Sequence, residues 1–179
     1  MDEQEFEKFA SIARWSRDVV VTEKIDGTNA QILITEDGGF FTGSRKRWIT
    51  PDNDNAGFSR WAHEHKEELI TELGFGRHYG EWWGCGIQRK YGIDEKRFSL
   101  FNVKKWEGHV GICGVVPVLW RGEMDNLDIP ILMECLQEDG SYAAPGFMKP
   151  EGIVIYHMQG GILFKKTFES DAKGKSYGH

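Results

Sequence analysis

Glu23-Lys24-Ile25-Asp26-Gly27-Thr28-Asn29 is the stretch on which the reading of this chain turns. The β-branched run Val19-Val20-Val21 leads into it as a short strand, and Gln31-Ile32-Leu33-Ile34-Thr35 leads out as another. One lysine is therefore held in a tight, glycine-containing connection, with a carboxylate two residues on. Such a lysine is anchored on rigid backbone. Burial and neighbouring cations can free a lysine amine for nucleophilic attack. Taken alone, Lys-x-Asp-Gly is more often a surface lysine at a turn, so the rest of the chain has to decide.

A length of 179 residues suits one domain, read here as 1–179, long enough to bury a core. The 22 glycines and 13% aromatic content point to many strands and turns. No run is long and apolar enough to span a membrane. The acidic start, Met1-Asp2-Glu3-Gln4-Glu5, is not that of a signal or transit peptide. Cys85, Cys113 and Cys135 are scattered and odd in number, which fits a reducing, cytoplasmic setting. The histidines show no metal-ligand spacing; His63 and His65 are two apart in a helical segment. A net charge of −6 argues mildly against a nucleic-acid partner. The cations are clustered, however, at Arg45-Lys46-Arg47, Arg89-Lys90, Lys104-Lys105 and Lys165-Lys166, and clusters decide local phosphate affinity.

Along the chain, Glu3 to Arg17 reads as a helix with Phe6, Phe9, Ala10 and Ala13 on one stripe. Glu36-Asp37-Gly38-Gly39 reads as a hairpin turn, with Phe40-Phe41-Thr42 returning toward Arg45. Gly57 to Leu73 is predicted as one helix stopped by Gly74. Arg77 to Gly84 and Arg97 to Val103 read as strands, the first with Glu81 among aromatics. Val115 to Leu119 is short and apolar, and Pro117 places it at an edge or bend. Asp128 should cap a helix running to Gln137, with Pro130 in its first turn. Two last strands, Gly152–Tyr156 and Ile162–Lys166, flank a Gly160-Gly161 turn.

The polar residues that stand out on or beside strands are Lys24, Asp26, Arg45, Glu81, Glu151, Lys165 and Lys166, with Phe101 among them. The inventory suits a nucleotide. Carboxylates at Asp26 and Glu151 can hold Mg²⁺, the cations can hold phosphate, and Phe101 can stack on a base. From composition and spacing alone no reaction can be chosen. Phe101 reads equally well as core, and Glu81 as a carboxylate at a strand edge.

Lys24-Ile25-Asp26-Gly27 resembles motif I of the covalent nucleotidyltransferases, which comprise ATP-dependent RNA and DNA ligases and mRNA capping enzymes. Ser44-Arg45 resembles motif Ia, Phe98-Ser99-Leu100-Phe101-Asn102 motif III, Glu151-Gly152-Ile153-Val154 motif IV and Phe164-Lys165-Lys166-Thr167 motif V, in the family's order. Gly27-Thr28-Asn29, Gly80-Glu81-Trp82-Trp83-Gly84 and the run from Gly140-Ser141 to Pro150 are similar to the RNA ligase branch. The resemblance extends from about Val19 to Lys175.

The resemblance implies an α+β nucleotidyltransferase fold, antiparallel sheets flanked by helices with ATP between them. It implies Lys24 as the nucleophile that takes AMP and Glu23 and Phe101 at adenine. Asn29 would lie near the phosphates, Arg45 at ribose and phosphate, Glu81 at the ribose hydroxyls, Lys165 and Lys166 at the α-phosphate, and Glu151 and Asp26 at Mg²⁺ or Mn²⁺. The expected partner is RNA with 5′-phosphate and 3′-hydroxyl ends. Motif V usually separates its two lysines by one residue; here they are adjacent, so which reaches phosphate stays open. The chain ends soon after motif V, so no C-terminal oligonucleotide-binding domain is expected. The alternatives are a DNA ligase-like or GTP-using capping-like enzyme, and a nucleic-acid-binding module that has lost catalysis.

Overall fold

The computed structural model describes residues 7–169. The chain runs through β1 (Asp18–Lys24), β2 (Thr28–Ile34), β3 (Phe40–Ser44), β4 (Trp48–Ile49), α1 (Phe58–Glu64), α2 (Lys66–Leu73) and β5 (Gly76–Gly84). It continues through β6 (Lys96–Leu100), β7 (His109–Val110), β8 (Cys113–Val115), β9 (Val118–Glu123), α3 (Ile129–Asp139), β10 (Gly152–His157) and β11 (Ile162–Thr167). These strands make two sheets. One has the order β11-β10-β1-β9, the other β4-β3-β2-β5-β6-β8-β7. All pairs are antiparallel except β6 with β8. The expected α+β arrangement of antiparallel sheets with flanking helices is what the chain forms. Among the described residues no helix is long and apolar enough to cross a membrane.

Alternation along each strand builds four layers. On the large sheet, Ala30, Ile32, Ile34, Trp82 and Phe98 face Phe58, Ala62, Leu69 and Leu73 of α1 and α2. On the small sheet, Val19, Val21, Ile153 and Ile155 face Met133 and Leu136 of α3. Between the sheets, Val20 meets Trp83, Tyr91, Val103, Val116 and Ala144. Each fully buried aliphatic side chain contributes roughly 1.5–3 kcal/mol, so these three clusters are what hold the sheets in register. The order is helix, sheet, sheet, helix, and the cleft between the sheets opens where β1 ends.

Three expectations change, and a fourth, the edge or bend at Pro117, is met. Residues 7–17 form no helix, and the beginning of that proposed helix lies outside the described residues. Phe9 and Ile12 are over 90% exposed, so the apolar stripe has no surface to pack on, and an amphipathic helix needs one. The helix from Gly57 to Leu73 is two helices broken at His65, whose φ and ψ are −106° and 20°. No buried apolar residue lies between Ala62 and Leu69 to hold a continuous stripe. The strand expected to reach Val103 ends at Leu100. The Val115–Leu119 segment is the crossing between sheets: β8 belongs to the large one, β9 to the small one, and Pro117, which cannot donate to a ladder, sits between. The α3 expectation holds at its N-terminus, and the helix runs to Asp139 rather than Gln137. Asp128 Oδ1 accepts from Ile131 N at 3.0 Å, Pro130 is in the first turn, and Gly140 ends the helix.

Candidate active site

The two strands flanking Lys24 belong to different sheets. β1 pairs with β10 and β9, β2 with β3 and β5, so Ile25-Asp26-Gly27 carries the chain across the cleft. Gly27 is required by close approach: a Cβ there would lie 2.4 Å from Trp82 O and 2.8 Å from Trp83 Cβ. The crossing is thereby pressed onto β5.

Register brings the charged groups together. Lys24 pairs with Gly152, which places the preceding Glu151 beside it, and Lys24 Nζ donates to Glu151 Oε2 at 2.6 Å. Both side chains are about a fifth exposed, at 23% and 17%, so the pair sits at the cleft mouth. Gly152 is again a matter of space, since a Cβ there would lie 2.1 Å from Lys166 O. Across the cleft Asn29 pairs with Glu81. Glu81 Oε1 accepts from Gly27 N and Oε2 from Asn29 Nδ2, each at 3.1 Å. Burial, reinforced by Glu151 and Asp26 and opposed by Lys24 and the Gly27 N–H, pushes the Glu81 carboxyl up to about 7.

Asp26 is clamped from the loop after β5. Its N–H donates to Tyr91 Oη at 2.7 Å, and its Oδ2 accepts from Arg89 Nε at 3.0 Å. Arg89 Nη1 also donates to Lys149 O at 3.2 Å, tying this loop to the approach to Glu151. Tyr91 is buried against Trp83 and Phe147, with ring centroids 4.9 and 4.8 Å away, and its φ is +49°. A non-glycine residue in that region costs on the order of 1–3 kcal/mol, which the surrounding packing must over-determine. Arg89 and Tyr91 are absent from the sequence-based candidates. Arg89 was visible only as one of several cation pairs, and nothing local announces the Tyr91 backbone or its partner.

The remaining candidates divide by sheet face. Lys165 pairs with Val154, which pairs with Thr22, so Lys165 shares the face of Lys24. Lys166 pairs with Ile153 opposite Glu23, on the α3 face, where it lines a separate cavity of about 690 Å³ with Pro130, Met133 and Glu134. The two lysines therefore do not act at one point, because neighbours on a strand project to opposite sides. Glu23 also departs from expectation. Its carboxylate is buried, accepting from Ser141 Oγ at 2.6 Å and Ala143 N at 2.8 Å, and burial raises its pKa against those hydrogen bonds. Its side chain is a structural tie to the loop after α3. Phe101 N donates to Tyr79 O at 3.0 Å, extending the ladder by one rung. This puts the half-exposed ring on the Glu81 face of the large sheet. Arg45 is exposed just past Ser44, and Ser44 pairs with Ala30, so Arg45 lies at the Asn29 end.

The profile of the RNA ligase family matches residues 17–167. The chain belongs to the RNA ligase family. No curated protein matches it at the sequence level. Among solved structures it is similar to a Naegleria gruberi RNA ligase mutant with ATP and Mn, at TM-score 0.63 and 20% identity, covering 86% of this chain and 50% of that one. Naegleria gruberi RNA ligase with PPi matches at TM-score 0.61 and 21% identity, covering 90% and 57%. A further mutant with ATP and Mn matches at 0.61 and 20%, covering 85% and 49%. The chain spans about half the length of these ligases, and the likeness is one of fold.

In this RNA ligase family member the Glu81 environment has a measurable consequence. The folded pKa of about 7 lies above the ordinary 4.5, so between these values the native state holds a proton that the unfolded state has lost. Stability then falls as pH rises through that window and is level above it. The ceiling on the effect is about 3 kcal/mol. Glu81→Gln should match the wild type near pH 4.5 and exceed it at pH 8, read as urea midpoints. A difference that stays constant across the window would show that Glu81 does not titrate there.

Proposed function

We propose that this chain is an ATP-dependent RNA ligase module that forms a covalent lysyl-AMP intermediate on Lys24. On this reading residues 1–179 act as one nucleotidyltransferase unit. The observation that carries the proposal is the meeting of Lys24 and Glu151, 2.6 Å apart across 127 positions of sequence, opposite Glu81 and Asn29 in one cleft. Family membership and the ATP- and Mn-bound structures of similar fold support it.

The Lys24 amine attacks the α-phosphorus of ATP. A P–N bond forms, the α–β phosphoanhydride bond breaks and pyrophosphate leaves. The amine must be neutral to attack, so Lys24 gives up the proton that its ion pair with Glu151 favours, and a second proton leaves the nitrogen to solvent as the P–N bond forms. Lys165, on the same face, would hold the α-phosphate charge. Glu81 and Arg45 would take the ribose and Phe101 the adenine. AMP would then pass to the 5′-phosphate of RNA, and a 3′-hydroxyl would displace it to seal the strand.

Among the described residues no cluster of three or more His, Cys, Asp or Glu is arranged as a metal cage. Mg²⁺ binds through one or two carboxylates plus substrate phosphates and retains waters. Glu151 and Asp26 would hold it, with Mn²⁺ as substitute, and it would neutralise phosphate charge. A cytoplasmic setting is part of the proposal, since all three cysteines are unpaired.

Incubation with α-labelled ATP and Mg²⁺ followed by a denaturing gel tests this. The expected result is a labelled protein band, with no label from GTP and joining of RNA rather than DNA ends. Label from GTP alone would make the chain capping-like, and no label from either would make it a binding module.

A further inference from the structure

The cleft face of the large sheet does not stop at the nucleotide. Direct cross-strand partners project to the same side. Trp48 pairs with Gly43, Gly43 with Gln31 and Gln31 with Tyr79, and the Phe101–Tyr79 rung continues the row. This row runs immediately beside the Asn29–Glu81 pair. With strands about 4.8 Å apart, Trp48 and Phe101 stand roughly 19 Å apart, four strand spacings. Trp48 is 49% exposed, Tyr79 55% and Phe101 40%. Each keeps about half of its surface open to solvent.

The row is held in place rather than loose. Arg77 lies 5.1 Å over the Trp48 ring and donates to Gln31 Oε1, and Gln31 Nε2 donates to Ser44 O at 3.1 Å. Phe41 packs against the same indole at 5.8 Å. A rigid aromatic surface loses little entropy when a ligand stacks on it. The charge is one-sided as well. Arg77 is on this face and Arg45, Lys46 and Arg47 form the turn at its edge, while Glu81, buried, is the one carboxylate that β2 to β5 direct to this side. In a chain of net charge −6 this is a local basic, aromatic platform.

We propose that the Trp48–Arg77–Tyr79 face docks a single-stranded RNA end, stacking its bases on the rings and pairing its phosphates with Arg77 and with Lys46 and Arg47 of the adjoining turn. Stacked bases along a basic groove are the general solution for single strands. The direction of the row then delivers the end to the Lys24 cleft. This rests on the reading of the cleft as an RNA ligase site, and the test separates the two.

Fluorescence anisotropy with a short oligouridylate bearing a 5′-phosphate measures affinity, and label transfer from ATP measures self-adenylylation. Trp48→Ala should weaken RNA binding roughly 5- to 100-fold, the loss of one stacked base, with self-adenylylation unchanged. Trp48→Phe should retain most of the affinity. Arg77→Gln should lower the slope of log affinity against log salt by about 0.7, one phosphate contact on a single strand. Unchanged affinity in Trp48→Ala overturns the proposal. So does an equal loss in Trp48→Phe accompanied by a lower unfolding temperature, which would make the ring structural. A self-association that Trp48→Ala abolishes, with RNA binding intact, would assign the face to a second copy and overturn it too. A wild type that takes no adenylyl label yet loses RNA on Trp48→Ala would sink the ligase reading and leave the platform standing.

Discussion

Lys24→Ala protein should take up no covalent nucleotide under conditions in which the proposed mechanism labels the wild type. The proposed phosphoramidate would need an amine at the end of β1, and among the described residues Lys24 is the lysine that meets Glu151 there. Lys24→Arg should fail equally, because the guanidinium is not deprotonated in proteins and offers no free electron pair. Fold is not at stake: the Lys24 side chain is 23% exposed at the cleft mouth, and the strand is held by Val19, Val20 and Val21. Circular dichroism and thermal unfolding close to wild type should accompany the lost label. A Lys24→Ala protein that still acquires label on another residue would remove Lys24 from its role.

The second large effect separates two neighbours. Lys165→Met should slow single-turnover adenylylation about 100- to 1,000-fold, the usual loss when one preorganised group facing transition-state charge is removed. Lys166→Met should change it only a few-fold, since Lys166 projects to the α3 side. Both substitutions remove one charge and keep the apolar stem, so any difference reports position rather than charge count. Rates under saturating ATP read this out. Equal losses, or the larger loss in Lys166→Met, would show that β11 shifts register when nucleotide binds.

These two predictions also mark where sequence reading stops. The motif residues, the hairpin at Glu36–Gly39, the Asp128 cap, the strand around Glu81 and the turn before β11 are legible because each rests on neighbours within a few positions: period-two alternation, turn glycines, a capping carboxylate. Family order among the motifs was legible for the same reason, and with it the antiparallel α+β class. The expected N-terminal helix and the unbroken helix to Leu73 failed because periodicity states only what a helix could bury, not whether a partner surface exists.

The site needed the tertiary structure. That β1 and β2 part into different sheets, making Ile25-Asp26-Gly27 a bridge over a cleft, depends on pairings with β10 and β5 far along the chain. The same long-range register decides that Lys165 shares the Lys24 face and Lys166 does not. It also decides that the Glu23 carboxylate ties down Ser141 and Ala143, and that Arg89 and Tyr91 fix Asp26. By itself the sequence determined which residues are candidates for chemistry and where most strands and turns fall, because those properties are local. Which side chains converge was left to sheet register, where a shift of one residue turns every side chain to the other face.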